Sequence, residues 1–322
     1  MIGVLSRNTK LGTEHQYQIR RVLSKSELSV VYIVRHLQTG TTSVIKEFFP
    51  SAMARRSSDG KTIQCLNASL SPQYVKLQEA FQREVMVLRE LQHPGVVRYE
   101  DDFEANGTLY LVMEYCRGIT LERFVRKNKQ GLNAGSLRTI MFPLIKALEY
   151  IHQQGYVHRD IKPANIVIGE DGCGKLIDFG SVIRYTDSDT EYPIFTTAGY
   201  SPLELYSEKS LQTPVTDIYS LAATLHFCCL GSAPTAVPTR LFEDKLDSVR
   251  AGNRGISPVL SGVIRRGLGL SANKRCSSLR WFRVALQAEY IMHKKSPIRL
   301  TGRKPRVESH SLSKEREFQH SD

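Results

Sequence analysis

The hydrophobic pattern of this chain is mainly strand-like in its first third and mainly helical after it, and that order limits the folds open to it. From Tyr17 to Tyr115 apolar residues come in short, β-branched, alternating runs: Y-Q-I-R-R-V-L, S-V-V-Y-I-V-R-H and T-S-V-I-K-E-F, with Thr39-Gly40 at a turn. Two more runs, Val96 to Phe103 and Leu109 to Tyr115, flank Asn106-Gly107, a strong hairpin signal. One helical stretch interrupts them, Ala80 to Leu91, with Phe81, Val85, Leu88 and Leu91 on a single face. After Gly118 the spacing becomes helical, in Leu137 to Gln153, within Ser210 to Leu230, and in Val259 to Leu268 and Leu279 to Ile291, apart from short strand-like runs between Val157 and Gly180. This order predicts an α+β protein of two lobes, β-rich over 17–115 and α-helical over 119–291, joined near Glu114 to Gly118 with a cleft between them. Residues 1–16 are polar and expected to be flexible, and Ser51 to Ser71 reads as a loop insertion. From Met292 to the end the chain is rich in Lys, Arg and Ser, so 292–322 is expected to be a disordered basic tail.

The net charge of +12 is high. A basic tail could contact nucleic acid, an acidic membrane or an acidic protein, but a solvated basic surface is the preferred reading. Six cysteines without C-x-x-C spacing fit a reducing compartment. No leader-like apolar segment opens the sequence, and the longest apolar run, Tyr219 to Leu230, is far short of the ~20 residues that span a bilayer. That run is expected to be a buried core helix, in a cytoplasmic protein without a transmembrane segment.

The chemistry concentrates between Val157 and Gly180, V-H-R-D-I-K-P-A-N-I-V-I-G-E-D-G-C-G-K-L-I-D-F-G. Two carboxylates (Asp160, Asp178), a cation (Lys162) and an amide (Asn165) stand around short apolar stretches. Phosphoryl transfer from a metal-bound nucleotide needs such a set: one carboxylate to orient the attacking hydroxyl, a cation against the moving phosphoryl group, and hard oxygen ligands for the metal. The bland reading of the same residues is a capped turn and an Asx-type loop.

The series H-R-D-x-K-x-x-N then D-F-G resembles that of protein kinases. K-E-F-F-P-S-A-M-A-R-R, H-P-G-V-V-R and T-D-I-Y-S-L-A-A-T-L narrow the resemblance to one branch of the eukaryotic-like bacterial serine/threonine kinases, over about Tyr17 to Tyr290. It implies a bilobal kinase-like fold, ATP with Mg2+ or, as a second choice, Mn2+, and protein substrates carrying Ser or Thr. Residue by residue, it implies Asp160 and Lys162 at the reacting hydroxyl, Lys46 on the nucleotide phosphates, Glu84 as its ion-pair partner (ahead of Glu79 and Glu90), and Asn165 and Asp178 on the metal. An adenine slot is expected from Leu23, Val31, Val44, Met113, Val167 and Ile177, with the Glu114 carbonyl and the Cys116 amide at the adenine edge. Each of those apolar residues would read equally well as core. Thr197 is expected beside Asp160 and Lys162, Glu204 against Arg275, and Asp217 beneath the catalytic loop. Thr186, Ser188 and Thr190 are candidate phosphoacceptors, with Arg159 as a cation for them.

One departure stands out. Where kinases carry G-x-G-x-x-G this chain has serine at each glycine position: Ser24, Ser26 and Ser29. Serine tolerates positive φ poorly, so a stiffer loop and weaker ATP binding are expected. The alternatives are a nucleotide-binding scaffold that no longer catalyses, or a small-molecule phosphotransferase of the same fold.

Overall fold

The computed structural model describes residues 3–14, 16–128, 131–186 and 194–293. The first lobe is one antiparallel sheet of six strands in the order β1-β2-β3-β4-β8-β7. These are β1 (Lys10–Leu11), β2 (Tyr17–Lys25), β3 (Ser29–His36), β4 (Thr42–Phe48), β7 (Tyr99–Ala105) and β8 (Thr108–Glu114). Between β4 and β7 lie a hairpin, β5 (Ala54–Arg56) and β6 (Ile63–Cys65), and helix α1 (Ser71–Glu90). Past Glu114 the chain forms β9 (Gly118–Thr120), α2 (Leu121–Lys127), α3 (Ala134–Gln153), β10 (Tyr156–Val157), β11 (Ile166–Gly169), β12 (Gly174–Leu176) and β13 (Ile183–Arg184). Helices α4 (Pro214–Leu230), α5 (Val237–Phe242), α6 (Val249–Gly252), α7 (Pro258–Gly267) and α8 (Arg280–Met292) complete the second lobe.

Helix α4 is the axis of that lobe. Pro214 opens it inside a Thr213/Thr216 capping box, and Gly231 closes it at φ 77°, where a side chain would be strained. Every residue from Thr216 to Cys229 is buried, as expected of the long apolar run. Among the described residues no helix is long and apolar enough to cross a membrane.

Three expectations need correction. Helix α1 begins nine residues before Ala80: its first two turns are only partly buried, but Tyr74 and Leu77 extend the apolar face back from Phe81 and pack against the core, Tyr74 edge-on to Phe48. The segment 51–71 is not a plain loop. Asp59 accepts backbone N–H groups from Lys61 and Thr62 and, with Gly60 at φ 68°, turns β5 into β6. Nor is the stretch before Tyr17 loose over its described part: β1 pairs with β2, Leu5 and Leu11 are buried, and the Leu5 N–H donates to the Tyr32 hydroxyl at 3.0 Å. Strands this short show no period, and the surface they cover is not visible in sequence.

Hairpin and N-terminal segment together cover the sheet face opposite α1, forming a second core of Leu5, Tyr17, Ile19, Tyr32, Ile45, Phe49, Ala54 and Ile63 among others. Within it Glu47, the neighbour of Lys46, is fully buried. Tyr32 and Tyr110 each donate a hydroxyl to its carboxylate at 2.8 Å, and the Arg56 guanidinium from β5 pairs with it. Arg56→Met strands that carboxylate without its cation, and the unfolding free energy is expected to drop by about 3–5 kcal/mol. Adding Glu47→Gln should recover much of the loss. Urea titrations of the four proteins read the coupling, and an Arg56→Met protein as stable as the parent would show the pair to be inconsequential.

Candidate active site

The loop from Val157 to Asn165 is shaped by one carboxylate. Asp217, fully buried in the first turn of α4, accepts the backbone N–H groups of His158 at 2.9 Å and Arg159 at 2.8 Å. His152 Nε2 lies 2.8 Å from the same carboxylate. Arg159 sits at φ 70°, a conformation unfavourable for a side chain with Cβ, and the hydrogen bond to Asp217 holds it there. Burial opposes ionisation of Asp217, but the His152 hydrogen bond and charge outweigh it and keep the carboxyl below the usual range. Burial pushes the His158 imidazole down, so it is neutral near pH 7, with its ring edge-on to Phe179.

The loop thus turned brings Asp160, Lys162 and Thr197 into mutual contact. Lys162 Nζ is 2.8 Å from Asp160 Oδ2 and donates to Thr197 Oγ1 at 3.0 Å, while Thr197 donates to Asp160 Oδ1 at 3.1 Å. Asn165 donates its amide N–H to the Asp160 carbonyl and carboxylate at 3.0 and 2.8 Å, which leaves its oxygen uncommitted beside Asp178.

Opposite, from the first lobe, Lys46 reaches both Glu84 Oε1 at 2.7 Å and Asp178 Oδ1 at 2.8 Å. The Phe179 N–H donates to Glu84 and the Phe179 ring is buried, so α1 and the D-F-G segment are locked together. Burial alone would lower the Lys46 ammonium; Asp178 and Glu84 outweigh it and hold it above the ordinary lysine value. Burial likewise opposes the charge on Asp178, yet Lys46 holds that carboxyl at about 2. Glu84 is pushed up by burial, against the pull of Lys46. The choice of Glu84 over Glu79 and Glu90 matches this geometry.

A slot of about 320 Å³ lies between the lobes. All the expected residues line it: Leu23, Ser24, Ser26, Ser29, Val31, Val44, Met113, Glu114, Cys116, Val167 and Ile177, with Lys46, Asn165 and Asp178 at its inner end. Sequence reasoning missed Val97, Tyr115 and Ala164, which also line it. Val97 follows the H-P-G turn and enters only because its N–H bonds to the Leu176 carbonyl at 2.8 Å. The Glu114 side chain turns away to Lys175, 2.6 Å distant. The slot opens into a cleft of about 510 Å³ where Lys46, Asp160, Lys162, Asp178 and Thr197 meet.

Over this cleft lies the serine turn. The Ser26 hydroxyl accepts the Leu28 and Ser29 N–H groups at 3.3 and 3.1 Å and lies 3.0 Å from the Ser29 hydroxyl, stapling β2 to β3. None of the three serines has positive φ, so the strain expected at the glycine positions is avoided and the side chain closes the turn instead.

At the far end Glu204 pairs with Arg275 through both oxygens, at 2.6 and 2.9 Å, and the same guanidinium holds the carbonyls of Gly269, Leu270 and Val215. Leu203, where kinases have proline, opens a short 3-10 turn without disturbing this anchor. Thr186 is exposed; Ser188 and Thr190 lie outside the described residues, as do 294–322 of the expected tail, while α8 continues to Met292.

The donor set fits a divalent cation. Asn165 and Asp178 offer hard oxygens at one end of the slot, and no group of three His, Cys, Asp or Glu side chains among the described residues forms an alternative cage. Mg2+ is typically held by one or two carboxylates with substrate phosphates completing the shell.

Fold and cleft define a phosphotransferase of the two-lobed kinase class. Residues 17–291 match the protein kinase domain family, and the chain belongs to it. It is 31% identical over 284 residues to the serine/threonine-protein kinase cds1 of Schizosaccharomyces pombe, covering 82% of this chain and 60% of that protein. It is 34% identical over 236 residues to the serine/threonine-protein kinase PknA of Nostoc sp., covering 68% and 40% respectively. The solved structure described as the PpkA-294 apo form superposes with a TM-score of 0.76 at 28% identity, over 88% of this chain and 99% of that one. The chain therefore spans between 40% and 60% of the length of these curated relatives.

Proposed function

We propose that this protein transfers the γ-phosphoryl group of ATP to Ser or Thr hydroxyls of proteins, its own chain included, in a reducing cytoplasm. The observation that carries the reading is the meeting of Lys46–Glu84–Asp178 with Asp160–Lys162–Thr197 across one cleft. Asp160 accepts a hydrogen bond from the incoming hydroxyl and aims it; Lys162 offsets charge on the moving phosphoryl group; Lys46 grips the nucleotide phosphates. Asn165 and Asp178 hold the divalent metal, which supplies charge neutralisation at the phosphates when bound. The Asp160–Lys162–Thr197 contact and the Lys162 spacing support Ser or Thr as acceptor.

The scaffold alternative rested on the loop serines alone, and a complete set of polar groups in contact gives it no support. The Glu204–Arg275 anchor, which braces a peptide-docking segment, argues against a small-molecule phosphotransferase. Asp160→Asn should reduce transfer from labelled Mg-ATP to a generic basic protein by at least about a hundredfold without changing nucleotide affinity. Unchanged transfer would remove Asp160 from the reaction. Replacing Ser24, Ser26 and Ser29 with glycine removes the Ser26 staple and should lower the KM for ATP severalfold. An unchanged or higher KM would mean that the stapled turn is itself adapted to the phosphates.

A further inference from the structure

Residues 1–247 are nearly neutral, and the net charge of +12 accumulates after them. From Ser248 to Ala288, across α6, α7 and α8, the chain carries eight Lys or Arg and no Asp or Glu. Arg275 is spent on Glu204 and Arg283 on Glu149 of α3. Arg250, Arg254, Arg265, Arg266, Lys274 and Arg280 are exposed, and none meets a carboxylate within ion-pair distance among the described residues.

Helix α8 adds a second, independent feature. Its inner face buries Phe282, Ala285, Leu286 and Glu289. Its outer face is also apolar: Trp281, Val284, Ala288 and Ile291 follow one another at helical spacing, with Met292 alongside. Trp281 is 55% exposed and Ile291 63%, where an ordinary surface helix would carry polar residues. Arg280 borders this stripe, and α7, packed on α8, presents Val259, Arg265 and Arg266. The sequence beyond α8 continues with Lys294, Lys295, Arg299 and Arg303.

We infer that the α6–α8 face docks on an anionic phospholipid bilayer, with Trp281, Val284 and Ile291 entering the headgroup region and the surrounding arginines held by acidic headgroups. Charge complementarity selects an anionic partner, and the aliphatic stripe selects the bilayer among anionic partners. Tryptophan and aliphatic side chains gain by entering the acyl boundary, whereas a nucleic acid would use the cations and stack bases on rings, of which this stripe has one. The inference does not depend on the kinase reading.

Trp281 is the only tryptophan of the chain, so its fluorescence reports on this face directly. The full-length protein should sediment with vesicles of phosphatidylcholine and phosphatidylserine but not with phosphatidylcholine alone. Its emission should shift to the blue and be quenched by brominated lipid. Joint replacement Arg265→Gln, Arg266→Gln and Arg280→Gln should weaken binding by on the order of a hundredfold, at about one headgroup attraction per charge. Val284→Asp with Ile291→Asp should abolish the blue shift while thermal melting confirms folding. The proposal is overturned if anionic vesicles fail to bind, if both variants bind like the parent, or if duplex DNA binds more tightly than the vesicles without moving the Trp281 emission. It is equally overturned if only substitutions at Lys294, Lys295, Arg299 and Arg303 matter, since the tail alone would then suffice.

Discussion

Lys46→Met is expected to lower phosphotransfer by at least about a thousandfold, because this one ammonium serves three partners at once. It neutralises Glu84, which is 1% exposed, reaches Asp178 at 2.8 Å, and points into the cleft where phosphates would lie. The same substitution leaves Glu84 buried without a cation, which should cost about 3–5 kcal/mol of stability. The pH dependence separates this effect from a generic packing loss. Asp178, depressed to about 2 in the fold, contributes stability that is complete above the unfolded carboxyl value of about 3.9 and fades as pH falls toward 2. Removing Lys46 removes that contribution. Glu84, already pushed up by burial, rises further in the variant, which then loses stability as pH climbs above about 4.3. Both effects make the gap between parent and variant widen from acid to neutral pH. Lys46→Met with Glu84→Gln should close most of that gap and recover no activity. A gap independent of pH, measured by denaturant titration between pH 3 and 7, would rule out this account of the Lys46 cluster.

Asp217→Ala should destabilise the fold about as much as Lys46→Met although Asp217 touches no substrate. Two buried backbone N–H groups and His152 lose their acceptor, and Arg159 loses the bond that holds it at φ 70°. Unsatisfied donors cost about 1–3 kcal/mol each, so a fall of about 3–5 kcal/mol in stability is expected. In the fraction that remains folded, kcat should drop at least about tenfold while the KM for ATP changes little, since apart from Ala164 and Asn165 the slot is lined from other elements. Asp217→Asn, which keeps one oxygen, should lie between. Hydrogen exchange at His158 and Arg159 tests the cause: protection unchanged from the parent would mean that the loop holds its shape unaided. Because Asp217 is depressed, its contribution is present above the unfolded carboxyl value and is lost as pH falls through the folded one.

That Lys46, Glu84, Asp160, Lys162, Asn165 and Asp178 come together at one cleft was legible from the linear chain, through motifs and an order of motifs that resemble those of protein kinases. So were the order of the two lobes and the buried course of α4, because long elements repeat their period several times. The β5–β6 hairpin and β1 were not legible. Three residues of strand show one alternation at most, and Ala54 or Leu5 reads as core only once the sheet face beneath it exists.

The linear order of residues settled which groups are available and which elements carry them, because period and spacing are local properties of a polymer. Folding alone settled what those groups meet: that Asp217 bends the loop carrying Asp160, that Ser26 closes its own turn, that Arg56 reaches Glu47 from the β5–β6 hairpin, and that α8 turns an apolar face to solvent. The Asp217 bonds join residues 59 and 58 apart in the chain, and even the nearer Ser26 and Arg56 contacts exist only in the folded geometry, because burial and charge pairing acquire values only when the partners are in place.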